Sequence, residues 1–194
     1  YQQQLESLTT DVVLMAELVV DRYEMALEAT QTGDRQLAEQ MIDGDSEINE
    51  RYLELEKECT DLIALQQPVA GDLRLITASF KIITDLERIA DLATNLGGYV
   101  TDGETNIFPE IDIQELGAVT LEMLDDAMAA YAEDDMELCY AVDDRDEDLD
   151  YLCEQASDTV VRELIESEQM DVDEDIEQFM EDVSRFLLTI RDIE

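Results

Sequence analysis

The residues best equipped for chemistry in this 194-residue chain are carboxylates one helical turn apart. Asp45 and Asn49, Glu87 and Asp91, and Asp146 and Asp150 each stand four residues apart, and Asp192 follows Leu188 at the same step. At about 100° per residue, that spacing puts both members of a pair on one helix face. Oxygen donors gathered in this way suit hard cations such as Mg²⁺, Ca²⁺, Mn²⁺ or iron. The chain has no histidine. That excludes imidazole acid–base catalysis and the Glu-x-x-His ligands of di-iron bundles. No Gly-rich phosphate loop follows a strand-like run, and no serine or cysteine has a base at nucleophile spacing. One-turn acid pairs also arise on solvated faces in a chain this acidic, so a bland surface reading stands beside the cation-binding one.

Glu87 and Asp91 belong to the stretch QQPVAGDLRLITASFKIITDLERIADLATNLGG over residues 66–98. Pro68 suits a turn or helix start, and Asp72 places negative charge in the first turn. The spacing predicts a helix from Pro68 to Leu96, ended by Gly97 and Gly98. Leu75, Ile82, Leu86, Ile89, Ala93 and Leu96 form one apolar stripe, and Leu73, Ile76, Phe80 and Ile83 form a second. A helix apolar on two sides is packed between neighbours. Glu87 and Asp91 prolong the second stripe, a costly place for charge unless something neutralises it. Arg74, Lys81 and Arg88 fall on the remaining face, where surface ion pairs are expected of them.

Fifty-two acids against 11 bases give a net charge of −41, yet 45% of the residues are apolar. The apolar content excludes a disordered acidic tail. The charge excludes binding to a nucleic-acid backbone or an anionic membrane surface. No apolar run approaches the roughly 20 residues of a membrane span. Cys59, Cys139 and Cys153 are odd in number and lack CxxC spacing, so all three are expected as reduced core residues in a reducing cytosol. The acids are dispersed along the chain, as on the surfaces of halophile proteins.

In chain order, helical spacing covers Leu5–Gln31 and ends at Thr32-Gly33. Asp34 is then the expected N-cap of a helix reaching Gln66. Gly44 lies inside it, at a cost of about 1 kcal/mol against Ala, so a close helix contact or a bend is expected there. Residues 101–110, with Gly103 and Pro109, read as a linker between a unit at 1–100 and one at 111–194. Three more helices are expected at Ile111–Tyr131, Asp134–Glu168 and Asp173–Glu194. The second unit lies on the first at a constant offset of 101 residues. Asp34 falls on Asp135, Leu37 on Leu138, Asp45 on Asp146, Leu86 on Leu187 and Asp91 on Asp192. The matches are N-caps, apolar positions and carboxylate pairs, as a duplicated three-helix unit requires.

The motif QQPVAGDLRLITASFKIITDLERIADLATNL and the upstream LAEQMIDGDSEINERYLELE resemble the PhoU family of phosphate-uptake regulators. The resemblance is most specific over residues 37–96 and diluted over 111–194. It implies an all-α fold of two tandem three-helix bundles related by a pseudo-twofold. It also implies a non-enzymatic cytoplasmic adaptor restraining a phosphate ABC transporter, through the transporter's ATPase subunit, with a histidine kinase as signalling partner and a homodimer as assembly. Family members bind metal clusters through paired acidic motifs, with Mg, Mn, Fe, Zn or Ca as candidates. Carried over, one site uses Asp45, Asn49, Glu87 and Asp91. The other uses Asp146, Asp150 and Asp192. Asn49 and Leu188 depart from the family's acids, so the first site is expected to bind the tighter. Ile107 and Phe108 are candidate partner contacts, and a halophilic archaeon is the expected source. The alternatives are a metal-buffering bundle without a transporter partner and a purely structural acidic bundle that dimerises.

Charge density generates a first test. Self-repulsion at −41 opposes compaction, and the screening length falls from about 10 Å at 0.1 M salt to about 3 Å at 1 M. The melting temperature followed by circular dichroism is expected to climb steeply toward molar salt. A flat or falling series overturns the halophile reading.

Overall fold

The structure, a computed structural model, describes residues 1–102 and 113–166, without the side chains of Asp45, Tyr99, Asp102, Ile113, Ser157 and 160–166. Six helices follow in order: α1 Gln2–Thr32, α2 Arg35–Asp43, α3 Asp45–Gln66, α4 Ala70–Asp102, α5 Ile113–Glu133 and α6 Met136–Glu166. No strand occurs among the described residues. The all-α architecture is as expected. The expected helix at 173–194, most of the linker, Ile107, Phe108, Leu188 and Asp192 lie outside the described residues.

The repeat shows at its joints. α1 ends in Gly33 at φ 67°, and α5 ends in Asp134 at φ 55°, which occupies the same place 101 residues on. The left-handed region favours glycine, and aspartate is among the few other residues that tolerate it. Asp34 then accepts from the N–H groups of Gln36 and Leu37 at 3.0 and 3.1 Å. Asp135 does the same for Glu137 and Leu138 at 2.9 and 3.2 Å. Each cap satisfies donors that a first turn leaves open, for about 1 kcal/mol.

α4 packs against α1, α2 and α3. Leu8, Val12, Met15 and Val19 of α1 recur at steps of three and four, and meet Ile48, Leu55 and Cys59 of α3 and Ile76, Ile83 and Leu86 of α4. Full burial of each such aliphatic chain contributes roughly 1.5–3 kcal/mol. α5 joins the first unit along α1. There the Tyr23 hydroxyl bonds Thr120 at 3.1 Å in the interior, and Tyr131 bonds Ser79 of α4 at 2.7 Å. Burial raises the pKa of both phenols, so they stay neutral hydrogen-bonding groups.

Four expectations are corrected. The single helix expected from Asp34 to Gln66 is instead two, α2 and α3, parted at Gly44, the place of the expected close helix contact or bend. The contact is with Arg22 of α1, only 9% exposed, whose guanidinium donates to the Met41 carbonyl and, at 2.9 Å, to the Gly44 carbonyl. A Cβ on residue 44 would overlap that guanidinium. The helix expected to stop at Gly97-Gly98 runs on to Asp102. Gly97 lies against the Met41 side chain, and Val100 is buried with Ala29 and Ala38 beyond it. Packing overrides the glycine signal there. Leu73, expected on a buried stripe, is exposed at the start of α4. Of the three cysteines only Cys59 is buried; Cys153 is half-buried and Cys139 is exposed at the wall of a groove between α5 and α6.

The Arg22–Gly44 contact makes a prediction. Gly44→Ala gains helix propensity, about 1 kcal/mol, but displaces charged donors worth about 1.5–3 kcal/mol each. Net destabilisation of about 2 kcal/mol is expected from urea melts in high salt. Arg22→Met alone should also destabilise, by leaving two carbonyls short of a donor. The double variant should be more stable than Gly44→Ala, because the overlap is gone. Strict additivity of the two costs would refute the contact.

Thiol labelling supplies another. Burial, with Glu58 nearby, pushes the Cys59 thiol up to about 11. In the folded protein iodoacetamide should label Cys139 first and leave Cys59 unlabelled until denaturant is added. Labelling of Cys59 at the Cys139 rate contradicts this core.

Candidate functional site

The carboxylate pairs are carried by α3, α4 and α6. Asn49 lies one turn into α3 and is half-buried. Glu87, in the middle of α4, is half-buried, whereas Asp91 is exposed. A four-residue step turns a helix by about 40° beyond a full circle. That rotation carries Asp91 off the apolar seam on which Glu87 lies. Asn49, Glu87 and Asp91 each take part in a polar or electrostatic contact within the fold. On α6, Asp146 is half-buried and Asp150 exposed.

Among the described residues, no group of three or more acidic or thiol side chains is placed to hold a metal ion. The Asp45 side chain and all of Asp192 lie outside those residues. The first set is therefore described through Asn49, Glu87 and Asp91, and the second through Asp146 and Asp150. In donor type both sets fit a hard cation, being carboxylate and amide oxygens throughout.

Arginine is the structural feature beside these motifs that reading acids alone misses. In the first unit Arg22 extends from α1 to the break before Asp45. Its counterpart 101 residues on is Met123, and the counterpart of Gly44 is Arg145. Arg145 reaches the opposite way, from α6 back to α5, bonding Asp126 at 2.6 Å and Glu122 at 2.9 Å. In both units the residue before the first acid of the motif is thus joined to the preceding long helix by a guanidinium, which comes from α1 in the first unit and from α6 in the second. An arginine aligned with a glycine at the repeat offset was the available signal.

The exchange also changes volume. Met123 and Val142 stand where the first unit has Arg22 and Met41. Between α5 and α6 they border a groove of about 390 Å³, with Leu124, Met136 and Asp146 among its other described walls. Position 146 thus adjoins an open apolar space. Arg74, Lys81 and Arg88 are exposed on α4. Contrary to expectation, no ion pair among the described residues involves them. Arg51 instead bridges Asp11 at 2.5 Å and Glu54 at 3.2 Å. No helix among the described residues is long and apolar enough to cross a membrane.

Comparison with known proteins agrees with this geometry. The PhoU domain model matches residues 12–100 and again 113–194. The chain is 32% identical over 166 residues to the phosphate-specific transport system accessory protein PhoU homolog of Aquifex aeolicus, covering 84% of this chain and 75% of that protein. It is also 32% identical over 139 residues to the phosphate-specific transport system accessory protein PhoU of Serratia marcescens, covering 71% of this chain but only 57% of that relative. The crystal structure of PhoU from Pseudomonas aeruginosa superposes with a TM-score of 0.84 at 25% identity, over 100% of this chain and 91% of that one. With the domain matched in both halves, the chain belongs to the PhoU family.

Proposed function

We propose that this chain is a regulator of phosphate uptake, a non-enzymatic helical adaptor that binds the ATPase subunit of a phosphate ABC transporter at the cytoplasmic side and signals through a further partner. The match of the family domain to both halves carries this reading, supported by relatives named as accessory proteins of phosphate-specific transport. The chemistry of the chain is consistent with an adaptor: no histidine, and a buried cysteine held as a thiol. In this reading the protein works as a homodimer. Titration of the purified ATPase subunit into the chain, in molar salt, is expected to give saturable binding at micromolar concentration or tighter. No heat and no co-elution would sink the adaptor reading.

The acidic motifs would serve this function by taking a divalent cation, through Asp45, Asn49, Glu87 and Asp91 in the first unit and Asp146, Asp150 and Asp192 in the second. The cation would supply positive charge that joins two helices. Half-burial of Glu87 supports the first set, because a cation offsets the cost of holding charge there. Isothermal titration with Mg²⁺, Mn²⁺ and Fe²⁺ should show the first set to be the tighter. Glu87→Gln with Asp91→Asn should remove most binding, Asp192→Asn should matter little, and Leu188→Glu should strengthen the weaker set. A double variant that titrates like the parent leaves these acids as a solvated face.

A further inference from the structure

Acids make up more than one residue in four of this chain, yet residues 62–84 hold one acid, Asp72, against Arg74 and Lys81. These residues form one corner of the fold: the end of α3, the turn through Gln67–Val69, and the first half of α4. Asp72 itself lies near the Tyr1 phenol, whose pKa is raised by desolvation and by this carboxylate. Around the corner Leu65 is 74% exposed, Val69 70%, Ile63 42% and Leu73 40%. Arg74, Thr77, Ala78 and Lys81 continue the exposed face along α4. Neither Arg74 nor Lys81 has an ion pair among the described residues.

Two physical features separate this corner from an ordinary surface. Single exposed apolar side chains are normal, whereas a contiguous group marks an interaction site. The turn is also held in a costly conformation. Gln67 sits at φ 49°, ψ 60°, a left-handed state that costs a non-glycine residue about 1 kcal/mol or more. Leu65 and Val69 stand exposed on either side of this turn.

We infer that this corner docks a protein partner whose contact face is an apolar pocket rimmed by carboxylates. This rests on the adaptor reading, in which that partner is the transporter's ATPase subunit. Charge complementarity selects the occupant. A chain of net charge −41 repels acidic surfaces nearly everywhere. Among the described residues, 62–84 set Arg74 and Lys81, which have no ion pair there, beside exposed apolar side chains. An acidic rim aligns on those two bases, and Glu54, Glu58 and Asp61 beside Leu65 confine it to the α4 side. A second copy fits less well. A twofold contact through this corner would set like bases near one another and bring two strongly negative bodies together.

The test is titration of the purified ATPase subunit into the full chain and its variants, in molar and in lower salt. Leu65→Glu and Val69→Glu should each weaken binding at least tenfold with an unchanged melting temperature, since both side chains are exposed. Arg74→Glu with Lys81→Glu should also weaken binding at least tenfold, and the loss should grow as salt is lowered. Leu53→Glu, at an exposed apolar position elsewhere on α3, should bind like the parent. Parent-like binding by all corner variants overturns this surface and leaves the adaptor reading intact. Absence of binding by the parent retires both. Corner variants that turn a dimer into a monomer in sedimentation, while still binding the subunit, would assign the corner to a second copy and overturn the proposal.

Discussion

Much of the first unit depends on where one guanidinium is placed. Arg22 is buried, so it must satisfy its donors inside the fold, and the carbonyls of Met41 and Gly44 are the acceptors it has. The second helix parts at residue 44 where the guanidinium takes them, and a Cβ there would have to displace it. The parting sets the direction in which α2 leaves α3 and brings Met41 over Gly97. That contact in turn lets α4 continue past two glycines to bury Val100. A single charged side chain thereby sits at the break in one helix, beside the contact that packs Met41 on another.

The parts of the fold that were legible in the sequence are those written in local chemistry. Asp34 and Asp135 are caps because a short carboxylate reaches two open N–H groups, and both occur as read. The offset of 101 holds for the same reason, since joints tolerate fewer residue types than faces do. The parts that were not legible depend on partners far along the chain. Nothing near Gly44 announces Arg22, which stands 22 residues away. Gly97 and Gly98 carry the signature of a helix end, and only Met41 and the buried Val100 account for the helix continuing. Cys139 shares its residue type with Cys59 but not its environment. Of the candidate site, residue types and helices could be read in advance. The outward rotation of Asp91 relative to Glu87 could also have been anticipated from the helical step.

Seen as an adaptor, the molecule combines a strongly negative chain with an apolar corner that carries Arg74 and Lys81. General electrostatic repulsion suppresses unspecific contacts over most of the surface, so a modest patch becomes selective by contrast. The patch lies at the junction of α3 and α4. It therefore sits on the same two helices that carry Asn49, Glu87 and Asp91, and rigid helices connect the two regions without a loop between them.

The exchange of arginine between the two units has a consequence for how they respond to dissolved ions. In the first unit the guanidinium is buried and bonded to neutral carbonyls, beyond the reach of counterions. In the second, Arg145 meets Asp126 and Glu122 at the surface, where ion pairs weaken as ionic strength rises. Concentrated electrolyte therefore relieves the overall repulsion of the whole chain while loosening the clasp between α5 and α6, as it does the Arg51–Asp11 bridge between α3 and α1. The duplicated halves are thus differently tuned, one indifferent to its medium at this joint and the other responsive to it.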